Sequence, residues 1–511
     1  MKKFYVTTPI YYVNDVPHIG HACTTLVADF LARYYRQKNC DVFFLTGTDE
    51  HGLNVAQAAK KKNLSPQKFC DQVSARFQET WKELNISNDY FIRTTDPKHK
   101  KIAAQIIQKI YDNGDIYQNT YEGLYCIGCE KFLTKTDLVD DHCPLHPPEK
   151  TIRQKEKNWF FKLSKYIPQI IKMIEDKKTN YVFPAGKRKE VLAKLKAGVH
   201  DISFSRASVK WGIPIPWDNS QTIYVWIEAL LNYYTATRFL PNKKEFWPAN
   251  LHLVGKEISW FHLVIWQAIL LSMELPLPKK VFVHDFYIID DKKISKSQGD
   301  KITPQELIDK FGVEGTRYLI ANSFPANNDT NVSIARFIEK YNADLANGLG
   351  NLVSRILSLV EKYCARKIPK ITKNPDSHPL RINKKIHNWK RTWQDIDHFL
   401  PQCQPSEALA SVWKFISEAD KYINRNKPWE LAKKNKKKFN WVIYGLLDSL
   451  CQIAWQIYPF LPETSRKIAR QLNIKKLLVK NPQNKDSWTN IKPGTKIKSG
   501  KPLFPRITPK I

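Results

Sequence analysis

Two short motifs stand far apart in this chain, and each has side chains suited to a phosphate-bearing ligand. The first is Pro17-His18-Ile19-Gly20-His21, which leads into a stretch with helical spacing of apolar residues. His18 and His21 would share one helix face, beside N–H groups and a positive dipole end that attract phosphate. Gly20 would let a flat ring approach the backbone closely. Taken alone, the motif also fits two histidines that only cap a helix.

The second motif is Lys293-Ile294-Ser295-Lys296-Ser297. Two lysines with hydroxyl groups on a short loop can reach the oxygens of pyrophosphate as mobile point charges. A solvated basic loop is the alternative, and for this motif alone it would be the better interpretation. Because both motifs occur in this order, in the two halves of one strand-helix pattern, the functional interpretation is favoured for both.

Four potential metal ligands form the pattern Cys126-x2-Cys129-x13-Cys143-x2-His146. Pairs of ligands on tight turns, joined by a longer loop, make a tetrahedral site for which zinc is the natural occupant. Four protein ligands would close the coordination shell, so we expect one structural zinc per chain. A disulfide is the alternative, and it is disfavoured in a reducing cytosol.

A fourth group of residues could read a single-stranded nucleic acid. Asn347, Asn351 and Arg355 are spaced by four, which places them on one stripe of a helix, and Trp429 follows Pro428. Amides and guanidinium groups can read the edges of unstacked bases, and an exposed Trp can stack on one. A polar helix face and a packing Trp at a helix start are the alternative.

The elements that must carry these groups begin with an alternating order. Residues 4–8 and 41–46 have the character of strands, and residues 22–36 between them have helical spacing. This βαβ order predicts a parallel sheet with covering helices. Either member of the pair Asn14-Asp15 could cap the first helix, and Pro17 would suit its first turn.

Two changes of pattern divide the rest of the chain. Residues 116–222 interrupt the alternation and hold the Cys/His cluster, which indicates an insertion. Strand character returns at 251–255 and 281–284. After about residue 335 amphipathic runs such as 337–362 take over, and these predict a helical bundle.

The charge of the chain favours a polyanionic partner. The formal net charge is +32, from 81 basic and 49 acidic side chains. Such an excess favours binding to a polyanion, because the binding releases counterions. A Lys-rich composition without function is the alternative.

No apolar run reaches the roughly 18 residues of a spanning helix, and a strand-like run follows Met1 almost at once. We therefore expect a cytoplasmic protein with no targeting peptide and no membrane partner.

Together, the first two motifs resemble the HIGH and KMSKS signatures of class I aminoacyl-tRNA synthetases, with Ile294 in the place of the usual Met. A closer resemblance, from about Phe4 to Ile507, is to the bacterial methionyl family of that class, in its form with a single zinc knuckle. It rests on four further segments: Tyr5-Val6-Thr7-Thr8-Pro9-Ile10-Tyr11-Tyr12, Gly47-Thr48-Asp49-Glu50-His51-Gly52, Ile223-Tyr224-Val225-Trp226 and Val254-Gly255-Lys256-Glu257.

The resemblance implies a ligase that activates methionine with ATP and transfers it to the 3′ end of tRNA(Met). Magnesium would accompany the ATP, and Asp49 would hold the substrate ammonium. The residues that would stabilise the charge of the reaction are His18, His21, Lys293 and Lys296. The residues that would bind ATP are His18, Gly20, His21, Gly255, Lys256, Glu257, Lys293, Ser295 and Lys296. The residues that would bind methionine are Ile10, Tyr12, Asp49, Trp226, Ala229, Tyr233 and His262. The residues that would read the anticodon are Asn347, Asn351, Arg355 and Trp429.

The implied architecture is an α/β fold, in which a split Rossmann-like nucleotide-binding domain is followed by an α-helical anticodon-binding bundle. Its segments would be a first catalytic half over 1–115, an insertion with the zinc knuckle over 116–222, a second catalytic half over 223–288, a lysine-loop and stem-contact segment over 289–345, and the helical domain with its tail over 346–511. The insertion is too small for a separate editing domain, and we expect a monomer.

Two departures from the family pattern and two rival functions accompany this resemblance. Glu228 stands where the family usually has Asp, and Asp300 stands where it usually has Asn.

One rival is another class I synthetase, such as the leucyl or cysteinyl type, against which Asn351, Arg355 and Trp429 argue. The other is a non-catalytic RNA-binding protein descended from a synthetase, against which the intact histidine and lysine motifs argue.

Overall fold

A parallel sheet of six strands forms the centre of the computed structural model, which describes residues 1–13, 16–128, 131–133, 138–144, 146–179, 181–289, 292–293, 302–373, 377–474, 491–498 and 500–508. The strands of the structure are β1 (Lys3–Tyr12), β2 (Asp41–Asp49), β3 (Tyr90–Arg93), β4 (Ile116–Cys126), β5 (Lys131–Phe132), β6 (Thr151–Phe161), β7 (Val182–Phe183), β8 (Ile202–Ser203), β9 (Ser205–Arg206), β10 (Pro214–Ile215), β11 (Asp218–Ile223), β12 (Leu251–Gly255), β13 (Val281–His284), β14 (Tyr287–Ile289), β15 (Lys292–Lys293) and β16 (Thr330–Val332). The order in the central sheet is β3-β2-β1-β12-β13-β7.

Helices cover the sheet and form the second half of the chain. They are α1 (Ile19–Gln37), α2 (Leu53–Lys61), α3 (Pro66–Glu83), α4 (Pro97–Asp112), α5 (Ile167–Glu175), α6 (Ala185–Lys196), α7 (Val225–Leu230), α8 (Asn232–Phe239), α9 (Trp266–Ser272), α10 (Pro304–Asn322), α11 (Ile334–Lys340), α12 (Asn351–Cys364), α13 (Pro379–Ile382), α14 (Trp389–Phe399), α15 (Pro405–Asn426), α16 (Pro428–Lys434), α17 (Lys436–Ile457) and α18 (Pro462–Gln471). The predicted α/β class, with a Rossmann-like sheet and a C-terminal helical region, is confirmed.

The central sheet is buried on both faces, as expected for parallel strands. Successive residues of a strand point to opposite sides, so Val6 and Phe44 join one core whereas Tyr5 and Phe43 join the other. The first core also contains α1 and continues into the helical region, where α17 is buried along most of its length. The sheet and the helical region therefore share one apolar interior.

The predicted insertion contains a strand of the central sheet. Within the segment 116–222, β4 and β6 pair antiparallel from Ile116↔Phe161 to Cys126↔Thr151 and belong to a sheet separate from the central one. However, β7 pairs with β13 and forms an edge of the central sheet. This strand is two residues long, too short to show the alternation on which the sequence interpretation relied. Within the described residues, no helix combines the length and the apolar character needed to cross a membrane.

A fully buried arginine joins α1, the lysine-loop segment and the helical region. Arg317, on α10, donates from Nη2 to Asp29 Oδ2 on α1 at 2.6 Å. Its Nε donates to the carbonyl of Phe460 at 2.8 Å, and its Nη1 to that of Leu84 at 2.8 Å. Burial alone would raise the pKa of Asp29, but the charges of Arg33 and Arg317 lower it to about 2. A single buried ion-pair network thus fixes α1 against the helical region.

Replacing Arg317 with Met should destabilise the chain by about 3–5 kcal/mol, because Asp29 would lose one of its two buried cationic partners. The free energy of unfolding would be measured in urea. Since the lowered pKa of Asp29 stabilises the fold above pH ~4 and this contribution is lost as the pH falls towards about 2, acid unfolding of the variant should begin at a higher pH.

Arg336→Met removes a guanidinium from an exposed position on α11 and provides the matched control. Its unfolding free energy should stay within about 0.5 kcal/mol of the parent. Equal stability of the two variants would show that the Arg317 network does not hold the regions together.

Candidate active site and metal centre

The histidine motif begins α1 with a cap of its own. His18 is the N-cap residue, and its Nδ1 accepts a hydrogen bond from the N–H of Gly20 at 3.1 Å. The backbone N–H of His18 in turn donates to Nδ1 of His21 at 3.4 Å. The prediction that Asn14 or Asp15 caps this helix is wrong, and both residues lie outside the described ones. Pro17 precedes the cap instead of occupying the first turn.

The imidazole rings of His18 and His21 can each donate a hydrogen bond from Nε2. They stack with their centroids 3.7 Å apart. Because each Nδ1 accepts a hydrogen bond, the neutral ring carries its proton on Nε2. The flat ring that lies against Gly20 is that of His18, since a Cβ at Gly20 would stand 2.9 Å from its Cε1. The helix start thus combines two Nε2 donors with the positive end of a helix dipole.

One residue of the lysine-loop segment lies against this helix start. The N–H of Ile19 donates to the carbonyl of Ile302 at 3.0 Å, although 283 residues of sequence separate them. Lys293 lies in β15, which pairs with β14. Ser295, Lys296 and Asp300 lie outside the described residues, so their predicted roles remain predictions.

Predicted methionine ligands lie at the carboxyl ends of adjacent strands and on the helices beside them. Tyr12 on β1 pairs with Asp49 on β2. Both residues lie at the carboxyl ends of their strands, where α/β proteins bind ligands. Ile10, Tyr12 and Trp226 pack on the same apolar core as Tyr233, and Ala229 is buried on α7.

A hydrogen-bonded pair, Tyr233 and His262, is buried among these residues. The Tyr233 hydroxyl lies 2.7 Å from Nε2 of His262, whose Nδ1 lies 3.0 Å from the carbonyl of Ile258. A carbonyl only accepts, so Nδ1 donates and Nε2 accepts from the tyrosine. Burial lowers the pKa of His262 to about 4, so at neutral pH the ring is uncharged. An uncharged imidazole suits a pocket for an apolar side chain.

Lys256, a predicted ATP ligand that follows β12, lies between two carboxylates. Lys256 Nζ lies 2.5 Å from Asp329 and 3.1 Å from Asp285. Burial by itself would lower the pKa of Lys256, but these two carboxylates raise it. The ammonium group is therefore held between carboxylates. A Cβ at Gly255 would come within 2.4 Å of a carboxylate oxygen of Glu257, so this side chain requires the glycine.

Three of the four predicted metal ligands converge on one point. The Sγ atoms of Cys126 and Cys143 lie 3.5 and 3.6 Å from Nδ1 of His146. Bond lengths of about 2.3 Å for sulfur and about 2.0 Å for nitrogen place such atoms ~3.6 Å apart in a tetrahedral zinc site. Cys129 lies outside the described residues. The geometry of the three described ligands fits zinc.

The four predicted base-reading residues lie on neighbouring helices. Asn347 and Asn351 are exposed, but Asn347 belongs to a π-helical segment, Tyr341–Gly350, that the spacing did not predict. Arg355 pairs with Asp420 on α15 and donates to Asn424 Oδ1 at 2.8 Å. Trp429 is 40% exposed on α16, which packs against α12. An exposed aromatic residue of this size is suited to stacking.

Sequence reasoning did not identify the side chains that hold the segment around Asp49. Glu50 is buried and accepts from Arg93, with Nε at 2.7 Å and Nη2 at 2.9 Å. Glu228 binds His51 and His99. Glu228 departs from the family pattern, but nothing in the local sequence pairs it with His99.

Comparison with known proteins agrees with this geometry. A family model described as tRNA synthetases class I (M) matches residues 4–151 and 135–357. A methionine–tRNA ligase of Caldanaerobacter subterraneus subsp. tengcongensis is 42% identical, covering 99% of this chain and 79% of the relative. One of Clostridium acetobutylicum is 43% identical, covering 99% and 78%. The structure of Mycobacterium tuberculosis methionyl-tRNA synthetase in complex with methionyl-adenylate is 32% identical, with a TM-score of 0.90, covering 99% of this chain and 100% of that one.

The parallel sheet, with a histidine pair at a helix start beside its carboxyl edge, is the arrangement of a class I tRNA synthetase. Within that class, the chain belongs to the family of the methionine–tRNA ligases. The resemblance stated from the motifs is confirmed.

Replacing Cys143 with Ala should remove the bound metal and loosen the segment around β4 and β6, because metal binding and folding of such a knuckle are coupled. Elemental analysis should find about one metal ion per parent chain and close to none in the variant. Cys364→Ala, which changes a thiol far along the sequence, should keep its metal. Full metal content in the Cys143 variant would contradict the assigned ligand set.

Proposed function

We propose that this enzyme is a methionine–tRNA ligase, which forms methionyl-adenylate from methionine and ATP and then transfers the methionyl group to the 3′ end of tRNA(Met). The observation that carries the proposal is the hydrogen bond from Ile19, in the histidine motif, to the carbonyl of Ile302, five residues after the lysine motif. Asp49, Tyr233 and His262, three of the predicted methionine ligands, are buried. The likeness to a synthetase with bound methionyl-adenylate supports it.

In the first step, a carboxylate oxygen of methionine attacks the α-phosphorus of ATP, and the bond from that phosphorus to pyrophosphate breaks. Negative charge accumulates on the phosphate oxygens. The Nε2–H groups of His18 and His21 and the start of α1 would stabilise that charge, and no covalent enzyme intermediate is needed. Lys293 and Lys296 would neutralise the departing pyrophosphate. Magnesium bound with ATP would supply further positive charge on the triphosphate.

The amino acid would be held at both of its ends. The Asp49 carboxylate would pair with the substrate ammonium, and the apolar walls that include Trp226 and Ala229 would surround the side chain. A thioether is soft and polarizable, so aromatic edges favour it. The Tyr233 hydroxyl donates a hydrogen bond to Nε2 of the uncharged His262. This pair would therefore contribute polar atoms to the pocket without a net charge.

In the second step, a hydroxyl of the terminal ribose of the tRNA attacks the adenylate carbonyl carbon, and AMP leaves. The helical region would secure the correct tRNA through Asn347, Asn351, Arg355 and Trp429. The pairing of Arg355 with Asp420 would orient its guanidinium before the RNA arrives. The net charge of +32 supports the binding of a polyanion.

Cys126, Cys129, Cys143 and His146 would hold one structural zinc. Four protein ligands leave no position for a substrate, so the ion would fold the insertion without taking part in the chemistry. The expectations of a monomer and of a cytoplasmic location remain part of this proposal.

The proposal is tested by measuring the exchange of labelled pyrophosphate into ATP in the presence of each amino acid in turn. The parent chain should exchange in the presence of methionine. His21→Asn keeps an acceptor near the position of Nδ1 but removes the Nε2 donor, so it should lower the activation rate at least tenfold with little change in methionine affinity. Exchange that depends on leucine or cysteine would support another class I synthetase. The absence of exchange with any amino acid would support a non-catalytic RNA-binding protein.

His200→Asn, at an exposed position, is the matched control and should exchange as the parent does. Loss of methionine affinity and of activation rate in equal measure would argue against a role of His21 in the transition state.

Trp429→Ala should impair tRNA charging and spare amino-acid activation, because a lost base stack costs about 1–3 kcal/mol, or roughly 5- to 150-fold. The values of kcat/KM for tRNA would be compared with exchange rates of the same preparation. The effect should shrink with a transcript whose anticodon is already changed. If the variant charges tRNA as well as the parent, Trp429 is only a packing residue and the anticodon assignment fails there.

A further inference from the structure

A tryptophan of the insertion is hydrogen-bonded twice to the backbone that follows Asp49. Trp211, which lies between β9 and β10, donates from Nε1 to the carbonyl of Glu50 at 2.6 Å. Its own carbonyl accepts a hydrogen bond from the N–H of Gly52 at 3.0 Å. Between these two contacts, the ring of His51 meets the indole edge-on, with the ring centroids 5.4 Å apart. One residue of the insertion thus holds two peptide groups of this turn.

The chain leaves the central sheet at Asp49, the last residue of β2. Up to that residue β1 supports the strand, and the N–H of Val13 donates to the carbonyl of Asp49 at 3.1 Å. Further along the turn, Gly52 has a φ of 103°, in the region that favours glycine. Buried peptide groups outside a sheet or helix need other partners, and Trp211 supplies two of them. The backbone around Asp49 is therefore defined by β1 on one side and by Trp211 on the other.

Other contacts of this turn leave the carbonyl of Glu50 dependent on Trp211. Arg93 donates to the Glu50 carboxylate from Nε at 2.7 Å and from Nη2 at 2.9 Å, and the Glu50 N–H donates to the Thr94 hydroxyl at 2.9 Å. The thiol of Cys70 lies 3.3 Å from the same carbonyl, but a thiol is only a weak donor. Loss of the indole N–H should therefore turn this peptide group without unfolding the segment.

The turn that contains Trp211 is itself fixed to the strand that leads into α7. The N–H of Ile223, at the end of β11, donates to the carbonyl of Ile213 at 2.8 Å. Helix α7 starts two residues later, and it carries Trp226 and Ala229. Trp211 thus relates the segment of the predicted ammonium ligand to the helix of two predicted ligands of the methionine side chain.

We propose that Trp211 is a positioning residue that orients the carboxylate of Asp49 for the ammonium group of the amino acid. This inference rests on the proposed function, in which Asp49 pairs with that ammonium. Trp211 acts through the carbonyl of Glu50 and does not touch the substrate. When the indole N–H is lost, that carbonyl turns towards another donor, the adjacent backbone rotates, and the carboxylate of Asp49 is displaced.

The test replaces Trp211 with Phe, which keeps an aromatic ring and removes the N–H donor. In pyrophosphate exchange, the KM for methionine should rise about tenfold, a part of the roughly hundredfold that a misplacement of ~1 Å can cost, with the KM for ATP within about twofold.

Two competitive inhibitors separate the two ends of the amino acid. Methioninol has the ammonium group but no carboxylate, whereas methylthiobutanoate has the carboxylate but no ammonium group. For the Trp211→Phe variant, the inhibition constant of methioninol should rise about tenfold, and that of methylthiobutanoate should change less than about twofold. A residue with a merely structural role would not distinguish the two inhibitors.

Trp413→Phe is the matched control, because Trp413 also donates from Nε1 to a backbone carbonyl, that of Asp344 in the helical region, at 3.1 Å. It should leave both inhibition constants unchanged. Thr222→Val provides a second route, since it removes the hydroxyl that donates to the carbonyl of Val209 at 3.0 Å, two residues before Trp211. It should act in the same direction as Trp211→Phe but less, and it decides the question if Trp211→Phe does not fold.

An active parent whose Trp211 variant keeps the inhibition constant of methioninol within about twofold overturns the inference. Equal increases for methioninol and methylthiobutanoate also overturn it, because a general distortion of the site would weaken both alike. A parent without methionine-dependent exchange instead overturns the proposed function.

Discussion

The buried contact between Arg317 and Asp29 is the interaction on which the arrangement of this chain depends. A guanidinium without access to water must find acceptors, and this one finds them on α1, after α3, and at the carbonyl of Phe460 in the helical region. Because an uncompensated buried charge costs several kcal/mol, the network favours the arrangement in which these regions meet around Arg317. The same helix, α1, begins with the histidine pair. The position of the reactive end of α1 is therefore set by its buried middle.

Buried polar groups around the amino-acid pocket follow the same rule. Tyr233, His262 and the carbonyl of Ile258 form hydrogen bonds with one another, so the proposed side-chain end of the pocket contains these polar atoms without an ionised group among them. Glu228 keeps its charge, and two histidines compensate it beneath the pocket. A site for a neutral thioether next to an ammonium group needs this separation, since a stray charge beside the side chain would favour polar amino acids.

Positive charge is divided between internal structure and the surface. Lys256 is held between Asp285 and Asp329, and Arg317 is wholly internal, so neither contributes an available charge to a nucleic acid. Much of the remaining excess lies on exposed lysines such as those of 433–438. Arg355 lies between these cases, because its pairing with Asp420 leaves the guanidinium at the surface but already oriented. Counting basic residues could not make these distinctions.

Features that depend on near neighbours could be predicted from the order of the amino acids. The alternation of strands and helices predicted the parallel sheet, the motif around His18 and His21 predicted a helix start, and the spacing of Cys126, Cys143 and His146 predicted their convergence. Three further features came to light in the folded chain: His18 itself is the cap, β7 completes the central sheet, and Glu228 contacts His99. Such contacts join residues far apart in the chain. Their geometry depends on how whole elements pack, and no periodic pattern within either segment records it.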